Sequence, residues 1–270
     1  MSHTFEDIPY RTVDGQPLLG RLYRPSTPAR ATVIEVHGGA WVQNDRLTNA
    51  IIHQYLADHG VAVFAIDFRM APQHRYPIAV QDINYAIRWF KTNRATLGLA
   101  PGKLGGLGTS SGGHLLTLAA IVPEDRRFKE DDSKLGSATA SVDFLIGCWP
   151  IFDPLARYKM ATARGLKNLV DNHHAFWPDE AAMAAGNPQH LVESGAATSL
   201  PPALVLQGTA DENVEHERAD LFVKAYRSRG GKVEYFKYTG EPHTFIVRNA
   251  GSAASNDGLE RIGAFIRSQI

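Results

Sequence analysis

Short apolar runs alternate with longer helical patterns along most of this 270-residue chain, and no other feature of the sequence restricts the fold as much. Compact β-rich runs occur at residues 32–37 (TVIEVH), 61–67, 142–148, 203–207 and 233–238, with a weaker, glycine-diluted run at 103–107. Helical patterns occupy residues 48–59, 77–90, 115–121, 214–229 and 259–270. Strands that alternate with helices predict an α/β fold. Because the runs are almost continuously apolar, helices should flank both faces of a mostly parallel central sheet.

Two stretches depart from this alternation. Residues 11–23 alternate in polarity around Asp14-Gly15, which predicts an antiparallel hairpin at the start of the sheet. Residues 150–200 contain several aromatic residues but no clean strand pattern. We expect this stretch to be a small helical insertion that forms a cap over the carboxyl edge of the sheet. The whole chain, residues 1–270, should then be a single domain.

Composition and charge exclude several classes of protein. The chain has 28 basic and 28 acidic residues, so it lacks the net positive charge that would favour nucleic acid as a partner. Cys148 is the single cysteine, so neither an internal disulfide nor a zinc cluster of cysteines can form. The first residues do not resemble a secretory signal, and no apolar run approaches the ~20 residues that cross a bilayer. We therefore expect a soluble, cytoplasmic protein with no membrane partner.

The segment Gly108-Thr109-Ser110-Ser111-Gly112 carries the clearest chemical signal. It has the form G-x-S-x-G and lies between a predicted strand and a predicted helix, which is the context that a nucleophile elbow requires. The two glycines permit a tight turn, and Ser110 is then exposed at its tip beside a helix N-terminus, where developing negative charge is favoured. A plain Gly/Ser loop is the alternative interpretation of the motif.

A second signal, His37-Gly38-Gly39-Ala40-Trp41, directly follows a predicted strand. Small residues at this point allow backbone N–H groups to face a cavity, and such donors stabilise the oxyanion of an acyl-transfer reaction. The N–H of Ser111 would add a third donor. We expect His37 to hold this turn through a hydrogen bond.

A base and an orienting acid can be assigned from their places in the chain. His243, in the segment EPHTF, follows the last predicted strand and comes after Ser110, as the order Ser…Asp…His requires. Asp211 lies in the loop beyond the strand at 203–207 and is the preferred acid, since a carboxylate there would orient the imidazole. The alternative acids are Glu212, Glu215 and Asp153. Asp143 is excluded because it precedes its strand and so lies at the opposite edge of the sheet.

Other interpretations are weaker. His173, His174 and Asp171 could suggest a metal, but no third ligand has useful spacing, and we predict none. A dinucleotide-binding turn fails because Ser111 stands where a third glycine is needed. His114, one helical turn after the nucleophile, should pack or cap locally, and Cys148 should be a buried strand residue. A hydrolase fold without activity, serving as a receptor, is a further alternative.

These motifs resemble the α/β-hydrolase superfamily, in particular its hormone-sensitive-lipase-like esterases and the neighbouring arylformamidase-type enzymes. The resemblance rests on HGGAW, on DFRMAPQHRYPIAVQD at residues 67–82, and on GTSSGGH, QGTADENV and EPHTF. It implies an α/β-hydrolase fold and three catalytic residues, Ser110 as nucleophile, His243 as general base and Asp211 as its partner. It also implies three oxyanion donors, namely the backbone N–H groups of Gly39, Ala40 and Ser111.

The same resemblance implies an activity. We expect a serine hydrolase that cleaves a carboxylic ester of a small or medium acyl substrate through an acyl-enzyme, without metal or organic cofactor. An amide or formamide hydrolase with the same triad is the alternative, and nothing in the sequence separates the two. The family often carries a third glycine where this chain has Ala40. Only 36 residues precede His37, so any cap must come mainly from residues 150–200. Homodimerisation is an expectation by analogy alone.

Overall fold

One sheet of eight strands runs through the described part of the chain. The structure, a computed structural model, describes residues 3–130 and 132–270. The strands are β1 (His3–Val13), β2 (Gln16–Pro25), β3 (Ala31–Val36), β4 (Val61–Ile66), β5 (Leu104–Thr109), β6 (Phe144–Cys148), β7 (Ala203–Gly208) and β8 (Val233–Tyr238). Their order across the sheet is β1-β2-β4-β3-β5-β6-β7-β8.

The sheet is parallel except at one end. Strands β1 and β2 form an antiparallel hairpin, and β2 pairs antiparallel with β4. Every pairing from β4 through β3, β5, β6 and β7 to β8 is parallel. Because parallel strands end at a common edge, the loops after β3, β5, β6, β7 and β8 converge there. The predicted mostly parallel α/β sheet is thereby confirmed.

Helices cover both faces of this sheet. They are α1 (Ala50–Asp58), α2 (Ile78–Asn93), α3 (Ser110–Ile121), α4 (Pro154–Ala163), α5 (Lys167–Phe176), α6 (Glu180–Ala185), α7 (Pro188–Ser194), α8 (His216–Ser228), α9 (Phe245–Arg248) and α10 (Ala253–Ser268). Apolar side chains of α2, α3 and α8 form a core on one face, and those of α1 and α10 form a core on the other. Within β3, Ile34 joins the first core and Val33 the second, so successive residues serve opposite faces.

Several predicted element bounds need correction. Helix α10 begins at Ala253 rather than Leu259, because residues 253–258 (AASNDG) carry no large apolar side chain. The first hairpin spans His3 to Pro25 rather than residues 11–23.

Helix α3 begins at Ser110, five residues before the predicted start, because Gly112 and Gly113 dilute the apolar pattern of its first turns. Strand β5 is fully buried and longer than its weak pattern indicated. Its glycines leave room for neighbours: a Cβ on Gly105 would lie 1.9 Å from the ring of Phe144.

Four short helices, α4 to α7, occupy the stretch between β6 and β7. Three of them begin at a side-chain cap that the sequence supplies. Asp153 accepts the N–H of Ala156 at 2.9 Å, Asp179 that of Ala182 at 2.7 Å, and Asn187 that of His190 at 3.1 Å. Proline follows the cap directly in α4 and α7, where its missing N–H costs no hydrogen bond.

Candidate active site

Ser110 lies at the junction between β5 and α3, at the carboxyl edge of the sheet. Its φ of +51° is in the left-handed region, which a non-glycine residue adopts only where the surrounding structure holds it. A Cβ on Gly108 would lie 2.7 Å from the carbonyl oxygen of Gly112, and a Cβ on Gly112 would lie 2.1 Å from that of Val36. Both glycines are therefore needed for the strand-to-helix turn to close.

His243 and Asp211 complete a hydrogen-bonded chain with this serine. The Nε2 atom of His243 is 2.9 Å from the Oγ of Ser110, and its Nδ1 atom is 2.7 Å from Oδ2 of Asp211. Because a carboxylate only accepts, Nδ1 carries the proton and Nε2 is left to accept from the serine hydroxyl. The residues come from the loops after β5, β7 and β8, as the chain order predicts.

The loop after β7 holds the Asp211 carboxylate in place. Its Oδ1 accepts the backbone N–H groups of Asn213 at 2.9 Å and Val214 at 2.8 Å. Its Oδ2 accepts from the side-chain amide of Gln207 at 3.0 Å, and the carboxylate is fully buried. These donors fix the other edge of the carboxylate toward the imidazole.

The rival acids lie elsewhere in the described chain. Glu212 is exposed, and Glu215 is paired with Arg164 at 2.5 Å. Asp153 caps α4, as described above. Asp143 accepts the N–H of Leu104 at the amino end of β5, which is the opposite edge of the sheet. Among them, only Asp211 is hydrogen-bonded to His243 within residues 3–130 and 132–270.

The turn after β3 faces Ser110. Gly39 and Ala40 have φ values of +123° and +50°, and both line a pocket of about 260 Å³ together with Ser110 and His243. Within the described chain, neither of their backbone N–H groups has an intramolecular acceptor. Ser111 follows the nucleophile in the first turn of α3, where the backbone N–H groups lack helical partners. The three predicted oxyanion donors thus come from two segments that meet at Ser110.

Buried polar groups brace the turn after β3 and the elbow from behind. Thr109 Oγ1 accepts from the N–H of Gly38 at 2.9 Å and from the amide of Asn49 at 3.0 Å. The same Asn49 amide donates to Glu35 at 2.7 Å, and His53 contacts the other oxygen of Glu35 at 3.0 Å. Sequence reasoning missed this network. Its one signal was a glutamate inside the otherwise apolar run TVIEVH.

The segment between β6 and β7 packs on the turn after β3 through aromatic rings. Trp41 stacks on Phe176 with ring centroids 5.1 Å apart and makes edge contacts with His173 and Trp177. His114 does more than pack locally, because it accepts from the indole of Trp41 at 3.2 Å and contacts the carbonyl of Gly186 at 2.8 Å. Burial lowers the pKa of His114 and of His173 to about 4.

Arg157, on α4, was also missed by sequence reasoning. This residue lines the pocket that contains Ser110. Its guanidinium group donates to Asn213 twice, to the backbone carbonyl at 3.1 Å and to Oδ1 at 2.5 Å. Burial lowers its pKa to about 10, against a weaker opposite effect from Asp211. No motif marks this arginine, because its position depends on how α4 folds back over the sheet.

The remaining candidates from the sequence lie outside the hydrogen-bonded chain of Ser110, His243 and Asp211. His37 stacks on Phe68 at 4.4 Å, and its Nδ1 is 2.7 Å from the carbonyl of its neighbour Gly38. His174 is hydrogen-bonded to the hydroxyl of Tyr158 at 2.9 Å. Asp171 pairs with Lys167 at 2.5 Å, and Cys148 is buried in β6, where burial raises the pKa of its thiol.

Comparison with known proteins finds similar sequences and structures. The BD-FAE family model matches residues 22–226. The ethyl acetate hydrolase of Pseudomonas putida is 37% identical over 263 residues, which cover 94% of this chain and 79% of that protein. Esterase LipC of Mycobacterium tuberculosis is 31% identical over 231 residues, 82% of this chain and 54% of that protein. A butyrate-bound thermophilic esterase from Thermogutta terrifontis superposes with a TM-score of 0.79 at 25% identity, covering 97% of this chain and 93% of that one.

The fold and these matches define an α/β-hydrolase of the carboxylesterase group. The chain belongs to the BD-FAE family. It spans about half the length of several curated relatives that it matches, such as 54% of LipC. None of the helices in the described part of the chain is both long and apolar enough to span a bilayer.

Proposed function

We propose that this protein hydrolyses carboxylic esters through Ser110, His243 and Asp211. The observation that carries the proposal is the continuous hydrogen-bonded chain from the serine hydroxyl through the imidazole to the buried carboxylate, at 2.9 and 2.7 Å. Such a chain has the geometry that a Ser-His-Asp triad needs, since the base can take the serine proton while the acid holds its tautomer.

Each step of the reaction then has an assigned group. His243 removes the proton from Ser110, whose Oγ attacks the carbonyl carbon of the ester. The backbone N–H groups of Gly39, Ala40 and Ser111 receive the oxyanion, and His243 returns the proton to the departing alcohol. Water, activated by the same imidazole, attacks the acyl-enzyme and releases the carboxylic acid.

The names of two relatives support short esters, rather than amides, as the substrates of this chain. The name ethyl acetate hydrolase describes a small ester substrate, and the Thermogutta esterase holds butyrate. The pocket beside Ser110 is about 260 Å³, which is below the ~300–1,000 Å³ of sites for drug-sized ligands. We therefore expect acetyl to butyryl esters to be the better substrates, with the matched amides or formamides turned over more slowly.

Replacement of the nucleophile tests this function. Ser110→Ala should lower kcat for p-nitrophenyl acetate by about 10⁵–10⁶, because the members of a triad act as a unit. Ser228→Ala, at an exposed serine at the end of α8, is the matched control and should keep wild-type activity. A fluorophosphonate probe should label the wild type and the control but not Ser110→Ala. If Ser110→Ala retains the wild-type rate and the label, the proposal is wrong.

A further inference from the structure

The pocket beside Ser110 has an unusual charge pattern. Five of its lining residues carry side-chain amides, and no aspartate or glutamate is among its described lining residues; the five are Gln43, Asn44, Asn49, Asn172 and Asn213. Arg157 is its single arginine or lysine. A pocket with this lining is polar and positively charged, whereas a site for purely aliphatic esters needs neither property.

Arg157 is buried without a carboxylate partner. The residue is only 3% exposed. No aspartate or glutamate of the described chain forms an ion pair with it. Asp211 attracts it through space, but burial has the larger effect and lowers the pKa to about 10. The guanidinium therefore remains charged at neutral pH. A buried charge without a paired anion is costly, so its place in a reaction pocket calls for an explanation.

The guanidinium lies over the ring of Trp41, 5.7 Å from its centroid, and its Nη1 atom has no carbonyl or carboxylate acceptor in the described chain. Nε and Nη2 donate to Asn213, whereas the neighbour of Nη1 is the Nδ1 atom of His173 at 3.5 Å. That nitrogen lies 2.8 Å from the carbonyl of Leu169, to which it must donate its own proton. It cannot also accept from Arg157. Nη1 therefore lacks a strong acceptor within the described chain, which an anion that enters the pocket would supply.

We propose that Arg157 is a specificity residue that binds a carboxylate on the substrate, so that the preferred ester carries a carboxylate in its acyl or its alcohol part. The inference rests on the proposed ester hydrolysis. Guanidinium and carboxylate form short, charge-assisted hydrogen bonds, and a dry pocket strengthens them. The surrounding amides add neutral donors for the same anion. The volume of about 260 Å³ restricts the substrate to a small one, such as the monoester of a short dicarboxylic acid.

A purely structural role for Arg157 makes a different prediction. Arg157 holds Asn213, whose N–H donates to Asp211 at 2.9 Å. Loss of that support would slow the reaction of every ester to a similar degree. Recognition of a carboxylate would instead change the ratio between an anionic ester and its neutral analogue. This ratio, rather than the rate alone, distinguishes the two roles.

Matched substrate pairs measure the ratio. In the acyl part, monoethyl succinate has a carboxylate oxygen where ethyl 4-oxopentanoate has a methyl group. In the alcohol part, acetoxyacetate has a carboxylate oxygen where acetoxyacetone has a methyl group. We expect the wild type to favour the anionic member of one pair by about tenfold or more in kcat/KM. Arg157→Gln should bring that ratio close to one, and Arg157→Lys should retain part of it. Arg164→Gln, at an exposed arginine after α4, should leave the ratio unchanged.

A binding measurement separates this inference from the proposed function. Calorimetric titration of Ser110→Ala should give a Kd for the anionic ester about tenfold lower than for its neutral analogue, and Arg157→Gln in the same background should remove the difference. The inference is overturned if the wild type turns over both members of both pairs equally, or if Arg157→Gln slows both members equally. Equal binding of the paired esters in Ser110→Ala also overturns it. Failure of the proposed function would differ, since no ester would be turned over and no fluorophosphonate label would appear.

Discussion

Trp41 and Phe176 stack face to face, with ring centroids 5.1 Å apart and ring planes only 5° from parallel. Trp41 lies in the same turn as Gly39 and Ala40, and Phe176 ends helix α5. The contact therefore joins the turn beside the nucleophile to the segment between β6 and β7. Trp41 has a φ of +67°, so the turn is held in a conformation that an isolated peptide would rarely adopt. The packed segment supplies part of what holds it.

Removal of this stacked ring should lower both stability and turnover. Phe176→Ala deletes a fully buried side chain, for which a cost of about 3–5 kcal/mol in free energy of unfolding is typical. Because Trp41 then loses its support, kcat/KM for a short ester should also fall by about tenfold. Phe90→Ala is the control, since Phe90 is equally buried but its ring contacts Phe64 of β4 rather than Trp41. Denaturant unfolding and steady-state kinetics on both variants test the claim, which fails if the two variants lose the same activity.

The acid of the proposed triad can be tested against its rivals. Asp211→Asn should lower kcat by about 10³–10⁴, because an amide can no longer hold the imidazole in the tautomer that accepts the serine proton. Glu212→Gln and Glu215→Gln should change kcat by less than about twofold, since neither side chain is hydrogen-bonded to His243 in the described structure. Steady-state kinetics on the three variants decide among the acids. A large loss in Glu212→Gln or Glu215→Gln would transfer the assignment.

The turn after β3 should not tolerate a side chain at Gly39. A Cβ there would lie 2.0 Å from the carbonyl oxygen of Gln43, and the φ of +123° is one that side chains rarely adopt. We expect Gly39→Ala to cost about 2–4 kcal/mol of stability and about 100-fold in kcat, because the donors of the turn are displaced.

Gly98→Ala provides the matched control. Gly98 also has a positive φ, +68°, but a Cβ there would meet nothing within 4 Å. The left-handed conformation alone should cost about 1–2 kcal/mol, with activity retained. Thermal unfolding and kinetics on both variants separate steric overlap from backbone strain. Equal effects at the two glycines would show that the close approach to Gln43 is unimportant.

Sequence patterns predicted the parts of this molecule that local chemistry determines. The apolar runs indicated the parallel strands because strands covered on both faces need continuous apolarity. The elbow motif predicted where the chain turns, since the close approaches at Gly108 and Gly112 exclude any side chain. Ser110, Asp211 and His243 could be proposed because their loops follow strands that end at one edge. Their catalytic roles remain a prediction, which the variants above test.

The rest depends on contacts between residues distant in sequence. Arg157 and Phe176 reach the site because α4 and α5 fold back over the sheet edge, and no local pattern encodes that path. Helix α3 includes glycines in its first turn, although glycine has a low helix propensity. Close packing of Gly112 against the end of β3 requires them there. His114, which the sequence predicted to pack or cap locally, instead connects Trp41 to Gly186 through hydrogen bonds.

Burial of neutral His114 should make stability depend on acid pH. Burial lowers its pKa from 6.5 to about 4. Between those pH values His114 is therefore protonated in the unfolded chain and neutral in the folded chain. Stability should therefore fall as pH decreases from about 6.5 to 4, by up to about 3 kcal/mol for this residue. His114→Gln keeps a donor and an acceptor for Gly186 and Trp41 but cannot titrate, so the slope of unfolding free energy against pH should decrease. Leu115→Ala, a buried neighbour, should lower the whole curve without changing that slope. Denaturant unfolding at five pH values tests this, and an unchanged slope in His114→Gln would refute it.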